Sequence, residues 1–504
     1  MKIEKTYLLD PEKKVDFNNK VDYCVGTGRM GLALQREYLE QLKLVQKHIG
    51  FKHIRGHGLF HDDMAIYREG FNWRTGEVTY RDYCFTYLDF VMDSYRELGL
   101  KPFLELGFMP GRLASSENKV FVWGGHTCPP KDYKLWRDLV QATLRHLMER
   151  YGADEAVTYP IEVWNEPNLP GFWEKADMQA YFKLFDETFA AVKEVDERFK
   201  VGGPAVCGGS DELWISSFMN HCEENDIALD FVTRHHYTTE QPDRQGHYVY
   251  QELMDPEAGF ANLKTTRDII DSHPRYKGLP IHITEFNTSY SPDNPIHDTN
   301  QNAAFLCHQL SRLGDVNESY SYWTFGDIFE EVGVPFAPFH GGFGLVANGC
   351  IPKPTFWSFA FFKRLQGGEC IHRSDEAVIV KEGDTYKGVL WNHSRTRDGR
   401  ELSLSFKLPA SGELCLLTKT VDEDTCNPLK LWHDLGEPRS LSVEQKELLQ
   451  SAAYPAIKSD RISANGEVTL SFDVNEFGVV YFELKPAPLT PDRGYDYDRA
   501  TRIK

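Results

Sequence analysis

The sequence predicts a (β/α)8 TIM barrel with an accessory antiparallel β-sandwich domain, on three observations. From about residue 20 to 325, short apolar or β-branched runs alternate with amphipathic helical stretches, as parallel strands joined by crossover helices do. Eight such units in roughly 300 residues is the arithmetic of a closed barrel. After about residue 350 the texture changes to closely spaced alternating runs with polar turns, which suits a sandwich. A chain of 504 residues has room for both, because single cores stop growing at about 250–300 residues.

The candidate barrel strands are YCVG (23–26), KHIRGHG (52–58), PFLELGF (102–108), IEVWNEP (161–167), KVGGPA (200–205), DFVTRHHY (230–237), IHITEF (281–286) and SYSYWTF (319–325). Between them, residues 36–50, 132–152, 178–195 and 299–314 carry apolar side chains at helical spacing; Leu39, Leu42 and Val45 share one face, and Trp136, Val140, Leu144 and Leu147 another. Runs at 377–383, 387–393, 401–408, 412–421, 467–474 and 478–485 make the sandwich, interrupted by a helical piece at 442–457. The expected division is a barrel over 16–350, an accessory domain from 1–15 plus 351–486, and a polar tail at 487–504.

A formal net charge of −19 argues against nucleic acid, an anionic membrane or a polyanionic polysaccharide as partner and favours a small neutral molecule. Ten cysteines without C-x-x-C or zinc-ligand spacing read as free thiols of a reducing compartment. The opening MKIEKTYLLDPEKK has no apolar core for a secretory signal, and no stretch approaches the roughly 18 apolar residues of a membrane span. The expectation is a cytoplasmic protein. Gly26-Thr27-Gly28-Arg29-Met30-Gly31 fits G-x-G-x-x-G, but the acidic residue expected about 20 positions on is missing. A βα loop at the barrel mouth is therefore preferred to a dinucleotide site.

Glu166, in Trp164-Asn165-Glu166-Pro167, falls at the carboxyl end of the fourth strand, and Glu285, in Ile283-Thr284-Glu285-Phe286, at the same end of the seventh. Active sites of this fold lie at that face, so the two carboxylates point across the mouth at each other. Cleavage of a glycoside by double displacement needs such a pair about 5–5.5 Å apart, one as nucleophile and one as acid and then base. The nucleophile must be ionised and the acid protonated, and the charge on Glu285 is expected to raise the pKa of Glu166.

These residues also carry a resemblance. The stretches VGTGRMGLALQREYLEQLKLVQKHIGFKHIRGHGL, IEVWNEPNLPGFW, VGGPAVCGGSDELW, HITEFNTSYSPDNPIHDTNQNAA and SYSYWTFGDIFEEVGVPFAPFHGGFGLVANGCIPKPTF resemble glycoside hydrolase family 39, and within it the bacterial β-xylosidases rather than the α-L-iduronidases. The resemblance implies Glu166 as acid/base, Glu285 as nucleophile and Asn165 as partner of the hydroxyl next to the anomeric carbon. It implies that His57, His235 and Tyr237 line the sugar pocket, that Tyr290 caps it, that Trp323 is its stacking floor, and that Glu330 and Glu331 take sugar hydroxyls. His236, Thr239 and Phe286 depart from the family's usual residues. No metal or organic cofactor is implied; a homo-oligomer, such as a tetramer, is. The expected activity is exo-acting release of β-D-xylose with retention. An iduronidase, an arabinose- or galactose-directed glycosidase, or a silent sugar-binding barrel are the alternatives. A uronide would need a cation in the pocket, and no Lys or Arg occurs between Glu285 and Gln309; Arg55 or Arg234 could still reach inward.

Overall fold

The computed structural model describes residues 2–489 and 494–502; residues 490–493 and 503–504 of the expected tail lie outside the described residues. Eight parallel strands close into a barrel: β1 (Cys24–Arg29), β2 (His53–His57), β3 (Lys101–Leu106), β4 (Ile161–Val163), β5 (Val201–Val206), β6 (Phe231–Tyr237), β7 (Ile281–Asn287) and β8 (Ser319–Tyr322). All eight runs read from the sequence are strands at the expected places. Outside them lie α1 (Arg36–His48), α2 (Thr86–Glu97), α3 (Tyr133–Tyr151), α4 (Met178–Val195), α5 (Ser216–Glu224), α6 (Pro256–Asp271), α7 (Asn300–Arg312) and α8 (Pro354–Arg364). The longer helices start on side chains that bind free amides of the first turn: Asp132, Asp177, Asp255 and Thr299, each worth about 1 kcal/mol over alanine.

The eighth helix lies beyond residue 350, where the sequence texture suggests that the barrel ends. Its Ser358 hydroxyl donates to the Ala303 carbonyl and Asn302 of α7 donates to Thr355, while Phe356 and Trp357 pack edge-on against His48 of α1. It thereby fills the gap between the seventh helix and the first. The long segment between β8 and α8 crosses the barrel mouth.

Six further strands follow: β9 (Glu369–Arg373), β10 (Ala377–Glu382), β11 (Thr385–Trp391), β12 (Glu401–Val421), β13 (Ala456–Val474) and β14 (Val479–Pro486). With the N-terminal strand Lys2–Leu8 they form one seven-stranded sheet. Its pairs are antiparallel except at the N-terminal strand, which runs parallel to β12 from Lys2 opposite Glu401 to Leu8 opposite Lys407. The long hairpin β12–β13 serves both halves of the sheet, which folds over a core of Leu402, Leu404, Phe406, Val480, Phe482 and Leu484. Residues alternate strictly: Val378, Val380, Trp391, Val479 and Tyr481 face the other way and join the barrel core. The sheet is therefore buried on both faces along β10, β11 and β14, while the β12–β13 hairpin keeps one face largely exposed.

Candidate active site

The barrel is filled in layers. Cys24, Phe103 and Phe231 form an apolar plug, and above it β2, β3 and β4 place Arg55, Glu105 and Glu162 inward, all fully buried. Arg55 is the hub. Its Nε donates to Glu162 at 2.6 Å, Nη1 to Glu285 Oε1 at 2.7 Å and Nη2 to Asn165 Oδ1 at 2.9 Å, with Glu105 2.9 Å from Nη2. Thr284 donates to the second oxygen of Glu162 at 2.7 Å. A charge left unpaired in such a layer costs about 3–5 kcal/mol, so the cluster is a rigid floor.

Local backbone irregularities bring consecutive side chains onto this floor. Trp164 and Glu166 have φ of 72° and 42°, a region that costs a non-glycine residue roughly 1–2 kcal/mol. The turn breaks strand alternation, so that Asn165 and Glu166 both line the cavity. Along β7 the register shifts between Ile283 and Phe286, which lets Thr284 and Glu285 both point inward.

Glu285 accepts on both oxygens, from Arg55 and from the Tyr237 hydroxyl at 2.7 Å; a carboxylate, not a carboxylic acid, fills that role. Nδ1 of His235 lies 2.8 Å from Glu166 Oε1 and 3.4 Å from Glu285 Oε2. Ligand atoms of Glu166, His235 and Glu285 all lie within 4.8 Å of one another. These three could in principle ligate a metal, but Arg55 and Tyr237 already occupy Glu285, and a guanidinium beside a cation is unfavourable.

Electrostatics separate the two carboxyls. Burial, with a smaller push from Glu105, raises Glu166 to about 7, against the pull of His57 and Arg55. The expectation that the charge on Glu285 does this is corrected: removal from water is the leading cause. Burial also pushes His235 down to about 4, so its imidazole is neutral beside Glu166. His57 behaves oppositely. Burial disfavours its cation, but the Glu105 carboxylate 2.7 Å from Nδ1 and the charge of Glu285 outweigh it and hold His57 above the usual histidine range. Glu331, 3.8 Å from His57 Nε2, is raised by burial and neighbouring carboxylates to about 8.

His57, Asn165, Glu166, Tyr237, Glu285, Tyr290, Trp323 and Glu331 line one cavity of about 550 Å³. Tyr290, 45% exposed, stands at the mouth, perpendicular to Tyr237. Trp323 is only 2% exposed and lies against His57 with centroids 4.6 Å apart. A Cβ on Gly26 would come within 2.3 Å of its ring, which is why a glycine of the G-x-G-x-x-G stretch sits there. His235 is not on the wall but behind it, between the carboxyls. Glu330 is corrected: it turns away from the cavity and accepts from Arg29 and Gln35 at 3.0 Å each. Arg29 at the end of β1 captures one of two neighbouring acids, leaving Glu331 for the cavity. Sequence reasoning missed Glu105 and Glu162 and left Arg55 open. Arg55 lies two residues before His57 and so shares its face, the one signal available. Phe121 and Phe172, also on the wall, come from loops without periodicity.

A family model for glycosyl hydrolases family 39 matches residues 5–469. The chain belongs to that family. It is 46% identical over 475 residues to a beta-xylosidase of Geobacillus stearothermophilus, covering 93% of each protein. With a beta-xylosidase of Caldicellulosiruptor saccharolyticus the identity is 33% over 483 residues, 92% of this chain and 94% of the relative. A crystal structure of a monomeric beta-xylosidase from Caulobacter crescentus superposes with a TM-score of 0.86 at 30% identity, covering 96% of this chain and all of the other. This family 39 protein is a glycoside hydrolase, and its barrel is the fold of its relatives. No helix among the described residues is long and apolar enough to cross a membrane.

Proposed function

We propose that this family 39 enzyme releases β-D-xylose from the non-reducing ends of xylo-oligosaccharides by double displacement. One observation carries the reading: carboxyl oxygens of Glu166 and Glu285 lie within 4.8 Å, far below the roughly 6.5–9.5 Å that leaves room for a water in inverting enzymes. Glu285 attacks the anomeric carbon as the bond to the leaving-group oxygen breaks, and Glu166 gives that oxygen its proton. Esterification removes the charge on Glu285. Glu166, now a carboxylate, takes a proton from water, which displaces Glu285 and restores the β configuration. Asn165, whose Oδ1 is held by Arg55, is left with its amide N–H groups for the neighbouring hydroxyl. His57, Tyr237, Tyr290, Trp323 and Glu331 bind the sugar, and His235 spaces the two carboxyls.

A neutral pentoside is supported by the charges around the cavity. Arg55 is engaged with Glu162, Glu285, Asn165 and Glu105, and Arg234 with Asp211 at 2.8 Å. Both guanidiniums are thus already paired with carboxylates of the protein. Glu331, raised to about 8, adds no repulsion near neutrality, so discrimination against a uronate comes from Arg55, Arg234 and His57 being already paired with Glu162, Asp211 and Glu105. Aryl β-D-xyloside should be hydrolysed much faster than aryl α-L-iduronide under identical conditions; the reverse would overturn the substrate while leaving the catalytic pair.

The same reading places the enzyme in the cytoplasm, as a xylan-degradation step on oligosaccharides taken up by the cell. The domains divide after α8, with residues 16–364 as the barrel and the second apolar cluster, built from residues near the N-terminus and from 371–484, as the accessory domain. A homo-oligomer, a tetramer on the family resemblance, is supported by the exposed aromatics Trp73 (83%) and Tyr80 (54%) on a projecting hairpin; sedimentation velocity reads it directly.

A further inference from the structure

The segment from the end of β8 to the start of α8 carries Trp323, Glu331 and Phe343 onto the cavity wall, although its ladder of Val346–Ala347 with Ile351–Pro352 is only two residues long. A buried ion cluster ties this segment down. Lys353, the residue before α8, is buried, as are Asp327 and Asp298, the latter at the end of the short turn Pro295–Asp298 after β7. Lys353 Nζ lies 2.7 Å from Asp298 Oδ1 and 2.7 Å from Asp327 Oδ2, and it donates to the Gly342 carbonyl at 2.7 Å. Burial works against the cation, but the two carboxylates outweigh it and hold the amine above the usual lysine range. The other oxygen of each acid accepts a backbone amide: Asp298 Oδ2 from Gly341 at 2.8 Å, and Asp327 Oδ1 from Gly344 at 2.7 Å. Residues 341–344 are thus gripped at three points. Only glycine fits so close: a Cβ on Gly341 would stand 2.5 Å from the Asn294 carbonyl carbon, and one on Gly344 2.5 Å from that of Gly326.

The grip reaches the cavity through aromatic rings. Phe343, between the gripped glycines, lines the cavity. Phe329 stands perpendicular to Phe343 with centroids 5.2 Å apart, and perpendicular to Trp323 at 6.1 Å. These three rings form an apolar cluster separate from the barrel core. Asn287, the last residue of β7, donates to the carbonyls of both Trp323 and Phe343, at 2.6 and 3.3 Å, so the two wall residues share an anchor.

We propose that Lys353, which does not line the cavity, is a positioning residue for sugar binding: with Asp298 and Asp327 it sets Phe343 and Phe329, and through them the face that Trp323 presents to the substrate. This rests on the reading of Trp323 as the floor of the sugar pocket. Apolar contact is non-directional and holds rings together without fixing their orientation, whereas three oxygens around one ammonium fix a point. Removing the ammonium leaves two buried carboxylates without their counter-charge. They then take up protons or move apart, and in either case the amides of Gly341 and Gly344 lose their charged acceptors.

The test measures kcat and KM for nitrophenyl β-D-xyloside at a temperature where circular dichroism shows every variant folded. Lys353→Met should lower kcat/KM about 10–100-fold, and the milder Asp298→Asn about fivefold. The loss should fall mainly on KM, since a stacking floor binds substrate and transition state alike. Because both act through Trp323, Asp298→Asn combined with Trp323→Ala should match Trp323→Ala alone. Unchanged kcat/KM in both single variants, with only a lower Tm, would make the ion cluster purely structural and overturn the proposal; so would losses that multiply with Trp323→Ala. Should Lys353→Met fail to fold, Asp298→Asn and its double variant decide between these outcomes. Full activity in Trp323→Ala, or none in the unsubstituted protein, would sink the reading of the pocket itself and this role with it.

Discussion

Glu166→Gln should stabilise the fold at pH 8 and leave it nearly unchanged at pH 4.5. Burial raises the folded-state pKa of Glu166 from 4.5 to about 7, so between these values the native protein keeps a proton that the unfolded chain has released. A raised carboxyl pKa favours the fold fully below 4.5, and that contribution is lost as pH rises through about 7. At 1.36 kcal/mol per pKa unit, the native state at pH 8 carries a penalty of about 3 kcal/mol, which glutamine avoids. Unfolding entropy near 2.1 cal/mol/K per residue over 504 residues makes 1 kcal/mol worth about 1 °C in Tm. The Tm gap between the variant and the unsubstituted protein should therefore widen by about 3 °C from pH 4.5 to pH 8 in scanning calorimetry. A gap independent of pH would refute the reasoning. The same titration should end activity, with kcat/KM falling on the alkaline side near pH 7.

Three further outcomes follow from the roles of the two carboxyls. Glu285→Ala should lower turnover by on the order of 10⁴-fold or more while the far-UV circular dichroism stays unchanged; azide should then restore turnover and yield a glycosyl azide of inverted configuration, and normal activity would sink the nucleophile. Glu166→Ala should cost about 10²–10⁴-fold on alkyl xylosides and far less on dinitrophenyl xyloside, whose leaving group departs unaided; equal losses would mean a different role for Glu166. Proton NMR during early turnover should detect β-xylose first, and α-xylose first would contradict the double displacement.

The legible parts of this chain are those where one physical signal dominates. Parallel strands buried on both faces read as short apolar runs, and all eight emerged. The catalytic candidates were legible because two glutamates end strands that face each other. The floor was not, since a charged residue inside a strand, such as Glu105 or Glu162, looks like an ordinary polar alternation until Arg55 is seen between them. Glu330 and Glu331 were indistinguishable because a loop has no period to say which of two neighbours turns inward. In the accessory sheet, residues 456–466 carry too few apolar side chains to read as strand; they are ordered by pairing with β12. The break expected between 408 and 412 is absent because β12 runs through it.

The parallel pairing of Lys2–Leu8 with Glu401–Lys407 sets a timetable for biosynthesis. Roughly 390 residues must be made before this strand meets its neighbour, which at about 5–20 residues per second takes about 20–80 s. During that time the strand has an unsatisfied backbone edge, while the barrel assembles behind it. Its alternating Lys2, Glu4 and Thr6 are the kind of charged and polar side chains that discourage such an edge from pairing with a stranger. The closure that stitches this strand into the sheet can come only after Lys407 has been made.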